Sequence, residues 1–320
     1  MMRALLFACL LPTVASAASF DCDKVRSPLE KAVCADPELS ALDSKIANTY
    51  NAARQRLSPE GNKILRDGQR QWLHFVGDLC FAPRNAQEIG ICLNSEYAAR
   101  LKQLSTAAIS IGPYLFSRSD SFSAKTHDDD GQVYKLKSSA PRIDAPLSVA
   151  AVEWNSMVAK RVTNAMKSGC DAGHGDEQLD AEVTYATANT VSIKTTSWED
   201  CHGTAHGNGS TVSLTYMLAP KLHALEAADL FDMDTSWKDF LTQRSYEALE
   251  KKAGGTRILR SNVEQAVVNV LGWTLTQDGL LITIDPYAVL AYAYGTTKVS
   301  IAWSDLKPFL AHNAPVPPQT

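Results

Sequence analysis

The chain has 320 residues, 45% hydrophobic and 21% charged, enough to bury the cores of two domains without needing metal or disulfides merely to fold. Such a composition excludes collagen, coiled-coil rods and wholesale disorder. A formal net charge of −4 argues against a general nucleic-acid binder, which presents a basic face.

Residues 1–17 read as a secretory signal peptide. Arg3 supplies the positive start, Ala4 to Val14 form the apolar core, and Ala15-Ser16-Ala17 has the small-x-small pattern of a cleavage site. The mature chain is expected to begin near Ala18 and to be periplasmic or secreted. Leu6-Phe7-Ala8-Cys9 departs from a lipoprotein box in its bulky Phe7 and in the short apolar run before Cys9. No later stretch reaches the roughly 18 apolar residues that a membrane helix requires, so no membrane span is expected.

Removing Cys9 leaves Cys22, Cys34, Cys80, Cys92, Cys170 and Cys201. An even number in an exported chain reads as disulfides, and the absence of a C-x-x-C spacing makes metal binding the weaker reading. Local pairs, Cys22–Cys34 and Cys80–Cys92, are favoured for the first four, with the other two connectivities left open. Cys170–Cys201 is the pair that remains.

Between residues 20 and 105 the pattern is helical. Ser27-Pro28-Leu29-Glu30 is a capping box with proline at the first helical position. Asp36-Pro37-Glu38 repeats that logic before Leu39, Leu42, Ile46, Tyr50, Ala53 and Leu57 at helical spacing. Ser58-Pro59-Glu60 opens a third helix, with Ile64, Leu65, Trp72, Leu73, Val76 and Leu79 as its apolar residues. After Pro83 a last helix carries Cys92, Leu93, Tyr97, Leu101 and Leu104. Short connections predict a small disulfide-stapled all-α bundle, with Trp72 and Tyr50 in its core and Asp43 and Gln69 as hydrogen-bonding braces.

Phe20-Asp21-Cys22, Glu30-Lys31-Ala32-Val33-Cys34, Leu39, Leu42-Asp43, Tyr50, Gln69-Arg70, Trp72-Leu73, Cys80, Cys92 and Tyr97 occur in an order that resembles the LprI-type lysozyme inhibitor domain. The resemblance covers nearly all of residues 20–105 and implies lysozyme as partner. The family often has Arg-Asp shortly after the tryptophan, where this chain has Val76-Gly77.

From residue 106 the pattern changes. Residues 106–139 are expected to be a linker and entry segment, with an exposed turn at Asp128-Asp129-Asp130-Gly131. A helix is expected over Pro146–Lys167, with Val149, Val152, Met157, Val158, Val162 and Met166 on or near one face. Alternation then predicts strands at Ala181–Tyr185, Val191–Ser197, Thr211–Tyr216, Trp273–Thr276, Leu280–Ile284 and Lys298–Trp303. Helical stretches fall at Trp237–Ala253 and Ser261–Val270. This order argues for an α+β domain over 140–312 with a mainly antiparallel sheet, and a flexible tail over 313–320.

Here too there is a likeness. Val191-Ser192-Ile193, Gly203-Thr204-Ala205-His206-Gly207, Leu225 to Phe231, Trp237 to Leu241, Leu280 to Tyr287, Tyr294-Gly295 and Val299 to Leu306 resemble the extracellular domain shared by the anti-sigma factor RsiV and the accessory region of PdaC-type peptidoglycan deacetylases. In RsiV that domain is a lysozyme receptor, so both resemblances imply the same partner. Residues 18–105 carry 12 Lys/Arg against 11 Asp/Glu, and residues 106–320 carry 18 against 24. An acidic second region suits a basic enzyme.

Catalytic chemistry finds little support. His202 and His206 have the spacing of helical zinc ligands, but Gly203, Gly207 and Gly209 oppose a helix, and no glutamate follows His202 as a base. The polar stretch Asp171 to Glu177 lacks the regular oxygen spacing of a calcium loop. Neither a Gly-x-Ser-x-Gly elbow nor a P-loop is present. The expectation is a non-enzymatic binder of lysozyme that needs no cofactor or metal. Its tentative contact is the glycine-rich loop Cys201–Gly209, using Glu199, Asp200, His202, Gly203 and His206. The alternative is an envelope module that binds peptidoglycan or assists its modification.

Overall fold

The computed structural model describes residues 18–82, 85–126, 131–166, 170, 175–201 and 203–317. The expected leader, Asp128 to Asp130, Asp171 to His174 and His202 lie outside these residues.

Four helices open the chain: α1 (Pro28–Ala35), α2 (Pro37–Arg56), α3 (Pro59–Cys80) and α4 (Ala86–Leu104). Their starts follow the capping logic of the sequence. The Ser27 hydroxyl accepts from the Glu30 amide while the Glu30 carboxylate accepts from the Ser27 amide, and Asp36 accepts from the amides of Glu38 and Leu39. A further capping box, Asn85 with Glu88, starts α4. Trp72 and Tyr97 meet edge to face at 4.9 Å in the bundle core. Cys22 is bonded to Cys34 and Cys80 to Cys92. Asp43 accepts from the Ser19 amide at 2.7 Å, and Gln69 accepts from Arg100 Nε at 3.0 Å, so both act as braces.

The 106–139 segment does not behave as a linker. It supplies β1 (Ala108–Ile111), β2 (Tyr114–Thr126) and most of β3 (Val133–Ile143). Helix α5 (Val149–Ala165) then crosses over to β4 (Gly175–Thr187), followed by β5 (Thr190–Cys201), β6 (Asn208–Met217) and β7 (His223–Ala224). These seven strands form one sheet in sequence order, antiparallel except where β3 pairs with β4 in parallel through the α5 crossover. Asp176 and Glu177 therefore belong to a strand and not to a loop.

Helix α5 buries Ala151, Trp154, Val158 and Val162 against Phe116, Leu179, Ile193 and Leu214 of the sheet. Val149 and Val152 are exposed, contrary to the expected apolar face. Trp154 is the reason: its indole, 6.0 Å from the Phe116 ring and edge-on to it, sets the helix rotation and turns the two valines outward.

The remainder forms a third core. Here α6 (Ala227–Leu230), α7 (Trp237–Ala253), α8 (Arg260–Val267) and α9 (Trp303–Leu306) accompany a three-stranded antiparallel sheet of β8 (Trp273–Leu275), β9 (Gly279–Ile284) and β10 (Thr297–Ala302). Phe231 stacks on Trp237 at 4.7 Å, and Trp273 meets both rings edge-on. Buried hydroxyls join this unit to the large sheet: Ser213 bonds Thr274, and Ser192 Oγ accepts from Thr215 Oγ1 and from the Leu275 amide.

The helical bundle docks on β2 and β3 through buried charge. Asp120 of β2 receives Arg100 of α4 at 2.7 Å, Arg118 at 3.4 Å and the Ser139 hydroxyl at 2.6 Å. Arg118 also pairs with Asp180 of β4 at 2.7 Å, and Lys137 of β3 pairs with Glu96 of α4 at 2.7 Å. Burial would push the Asp120 carboxyl up, but the Arg100 and Arg118 guanidiniums and the Ser139 hydroxyl hold it below the usual carboxylate range.

Two outcomes follow from this arrangement. Asp120→Asn leaves the fully buried Arg100 guanidinium without its counter-ion, while Arg118 keeps Asp180, and should cost about 3–5 kcal/mol in chemical denaturation. A depressed carboxyl contributes stability above its unfolded pKa of about 3.9 and loses it as pH falls through the folded value. The acid branch of the wild-type stability profile should therefore flatten in Asp120→Asn; an unchanged branch would show that this carboxylate is not the clamp. The third disulfide, Cys170–Cys201, pairs the last two cysteines of the sequence. Thiol labelling of the denatured, unreduced mature chain should give no adduct, and a stoichiometric label on either residue would contradict that pairing.

Candidate functional site

Strands β5 and β6 form a long hairpin whose turn carries the glycine-rich loop. Thr204 closes the turn by bonding back to the Cys201 carbonyl through both its amide and its hydroxyl. Gly203 has φ +84°, which a side chain tolerates poorly. The Cys170–Cys201 bond anchors the end of β5 beside Gly175, where an added Cβ would lie 2.5 Å from Cys170 Sγ.

Strand alternation separates the two expected carboxylates. Glu199 lies across from Asn208 and lines a groove of about 310 Å³ between the end of α5 and the sheet, together with Met166, Thr195, Ser197 and Ser210. Asp200 is exposed on the opposite face, in register with Asp176. The sequence reading placed both at one base; the pleat assigns them to different surfaces. His206 is exposed on the loop, and Gly203 shapes the turn.

A residue that sequence reasoning passed over occupies the centre of the Asp200 face. Of the six tryptophans, Trp72, Trp154, Trp237, Trp273 and Trp303 are core residues, whereas Trp198 is 48% exposed. Its indole lies on Gly207 and Gly209, where an added Cβ would come within 2.3 Å and 3.1 Å of the ring. The available signal was an aromatic residue standing in a polar strand, Thr195 to Asp200. The loop glycines thus do more than permit a turn: they form the seat for this ring.

Beside that seat, His206 stacks on Tyr292 with centroids 4.8 Å apart, and Tyr292 reaches Tyr287 at 5.7 Å. The Tyr292 hydroxyl donates to the Gly207 carbonyl at 3.3 Å, tying the hairpin to the C-terminal unit. Tyr287 is 73% exposed with φ +69°, a strained conformation for a bulky residue. Nearby Asp285 has its carboxyl pushed up by burial, partly opposed by a hydrogen bond from the Thr211 amide. Gln178 of β4 stands in register with Trp198. Lys135 and Lys137, close to the ring, are already paired with Asp176 and Glu96.

Comparison with known families divides the chain. Residues 22–107 match the family model described as Lysozyme inhibitor LprI. Residues 228–304 match the model described as a protein of unknown function, DUF3298. The chain joins an LprI domain to a DUF3298 domain. The LprI domain comprises all four helices of the bundle and both of its disulfides. The DUF3298 segment supplies Asp285, Tyr287 and Tyr292, while the β5–β6 hairpin lies outside both matched segments. Among solved structures, the chain is similar to a DUF3298 family protein from Pseudomonas aeruginosa PAO1, with 15% identity, 65% of this chain and 98% of that chain covered, and a TM-score of 0.42. A member of the same family from Bacteroides fragilis NCTC 9343 gives 16%, 64%, 96% and 0.43. No curated protein matches.

The seat makes a measurable demand. Gly207→Ala should turn the Trp198 ring out of place, because an exposed side chain yields more readily than a sheet backbone. The stability cost should stay near 1 kcal/mol while the accessibility of the indole to a collisional quencher changes. Unaltered quenching would show that Gly207 does not seat the ring.

Proposed function

We propose that this chain is an exported, non-enzymatic inhibitor of lysozyme that protects envelope peptidoglycan. The observation that carries this reading is the LprI match across the whole helical unit, residues 22–107. Six cysteines joined in three disulfides are consistent with an oxidising compartment, periplasmic or secreted. Among the described residues no helix is long and apolar enough to cross a membrane.

Inhibition requires no chemistry from the inhibitor. Lysozyme acts through two carboxylates flanking the scissile bond, so occupying that cleft excludes the polysaccharide. Val76, one of the two residues standing where relatives often carry Arg-Asp, is fully buried, so its side chain offers lysozyme no contact. The excess acid of residues 106–320 would speed and orient the encounter with a basic enzyme. In this reading Glu199, Asp200, His202, Gly203 and His206 form the hairpin contact, and the disulfide at Cys201 lowers the ordering cost on binding.

The test is titration of the mature protein into a cell-wall suspension cleared by lysozyme. A stoichiometric loss of clearing is expected, and none would overturn the proposal. Because Glu199 and Asp200 face opposite ways, Glu199→Lys and Asp200→Lys should be assayed separately and together. A hairpin contact loses affinity most strongly at low salt, where charge repulsion is least screened. Unchanged binding by the folded double variant at low and moderate salt would remove the hairpin from the interface.

A further inference from the structure

We infer that the aromatic row on the Asp200 face of the hairpin is a saccharide-binding surface, built for an oligosaccharide that carries no negative charge. The inference does not rest on the lysozyme reading; it rests on Trp198, His206, Tyr292 and Tyr287 and on the polar groups beside them.

Trp198 is the one tryptophan of six that is not in a core. Burial elsewhere is the usual way to satisfy so large an apolar surface, and nothing in the packing of β5 requires an indole in the middle of an exposed stripe. Two glycines are in place beneath it: a methyl group at Gly207 would collide with the ring, and one at Gly209 would press tightly against it. The ring is therefore backed on one side, while nearly half the residue remains open to solvent.

The neighbours continue this surface. The Tyr292 hydroxyl holds the Gly207 carbonyl, directly beside the Trp198 seat, and His206 and Tyr287 lie within 4.8 Å and 5.7 Å of the Tyr292 ring at interplanar angles of 22° and 30°. His206 stacks on Tyr292 and Tyr287 tilts against it, so the inner ring is braced by its neighbours and the rings most open to a ligand are those of Trp198 and Tyr287. At its far end Tyr287 keeps a left-handed backbone while presenting most of its side chain to water. Strain retained at an exposed aromatic residue is more readily explained by ligand contact than by packing.

The polar groups select the ligand. Gln178 faces Trp198 in register, and Thr196 and Asp200 lie two residues to either side of it on the same face of β5. They offer an amide, a hydroxyl and a carboxylate, which together donate to and accept from ring hydroxyls. Lys135 and Lys137, which line a cleft with Trp198, are paired with Asp176 and Glu96, which makes them poor partners for a phosphate backbone or an acidic polymer. A continuous lipid-binding patch is also absent from this row, because polar side chains interrupt the rings. A pyranose fits both features: its C–H face lies on an aromatic plane, and its equatorial hydroxyls reach the flanking groups.

The exposure pattern provides its own reporter. With five tryptophans buried, quenching or a blue shift on ligand addition reads Trp198. The mature protein should be titrated, without lysozyme, with β-linked tetramers of glucose, N-acetylglucosamine and glucosamine, and with an oligogalacturonate as the acidic control. At least one tetramer should shift the emission, and the acidic control should not. Isothermal titration of Trp198→Ala should then show at least about a fivefold loss of affinity, the fold-change of roughly 1 kcal/mol of lost stacking. Trp198→Phe should retain part of the binding, and Tyr287→Ala should weaken it without unfolding the protein. Lysozyme inhibition by Trp198→Ala is measured in parallel: preserved inhibition with lost saccharide binding separates the two activities. The inference is overturned if no tetramer binds, if the acidic oligomer binds equally well, or if Trp198→Ala loses lysozyme while leaving saccharide binding unchanged. In the last case the row is a protein contact.

Discussion

The Asp120 carboxylate, held between the guanidiniums of Arg100 and Arg118, is the constraint on which the arrangement of this chain depends. It joins a helix of the LprI domain to the second strand of the large sheet, and Arg118 extends the chain of charge to Asp180 on the fourth strand. Such a network contributes less to net stability than to geometry, because desolvating the charges offsets much of their attraction. Its geometric demand is strict: each ion is satisfied only when bundle and sheet meet in one orientation. Lys137 with Glu96, and Asp144 accepting from the Ser58 amide and hydroxyl, add two further points of attachment on the same side.

That docking helps define the face on which the aromatic row lies. The bundle covers β2 and β3, while the seam of Ser192, Ser213, Thr215 and Thr274 fixes the C-terminal unit near the other end of β5 and β6. The exposed stripe of Gln178, Thr196, Trp198 and Asp200 belongs to the part of the sheet that remains uncovered. Glycine, disulfide and aromatic stacking then act together on one hairpin. Gly207 and Gly209 seat the indole, Cys201 anchors the strand end, and Tyr292 ties the loop to the DUF3298 segment.

Functionally, the two readings share Asp200 and His206 of the hairpin but draw on different residues beyond it, the helical bundle for one and the Trp198–Tyr287 row for the other. An inhibitor that sequesters a wall-degrading enzyme gains from residing near its polymer, since local concentration strengthens the second encounter without new contacts. A saccharide platform on the sheet and an LprI domain docked beside it would provide that co-location within one chain.

What the sequence determined by itself was local. Helix starts were legible because capping depends on residues three or four positions apart, as at Ser27, Asp36 and Ser58. Most strands of the second region were legible from alternation, and Cys170–Cys201 from even counting, whereas among the first four cysteines local pairing was favoured and only the structure decided it. What only the tertiary structure decided involves partners distant along the chain. Strand β2 escaped alternation because Arg118 and Asp120 occupy inward positions that are polar in sequence and become acceptable only beside Arg100 and Asp180. The valines of α5 were misplaced because Trp154, not the number of aliphatic residues, orients the helix. Glu199 and Asp200 appeared as one acidic base until the pleat set them on opposite faces. Trp198 drew no reading from the sequence, since its exposure and its glycine seat arise from the pairing of β5 with β6 and from a tyrosine almost a hundred residues away. Periodicity records which residues share a face; the covering elements decide whether that face is core or surface.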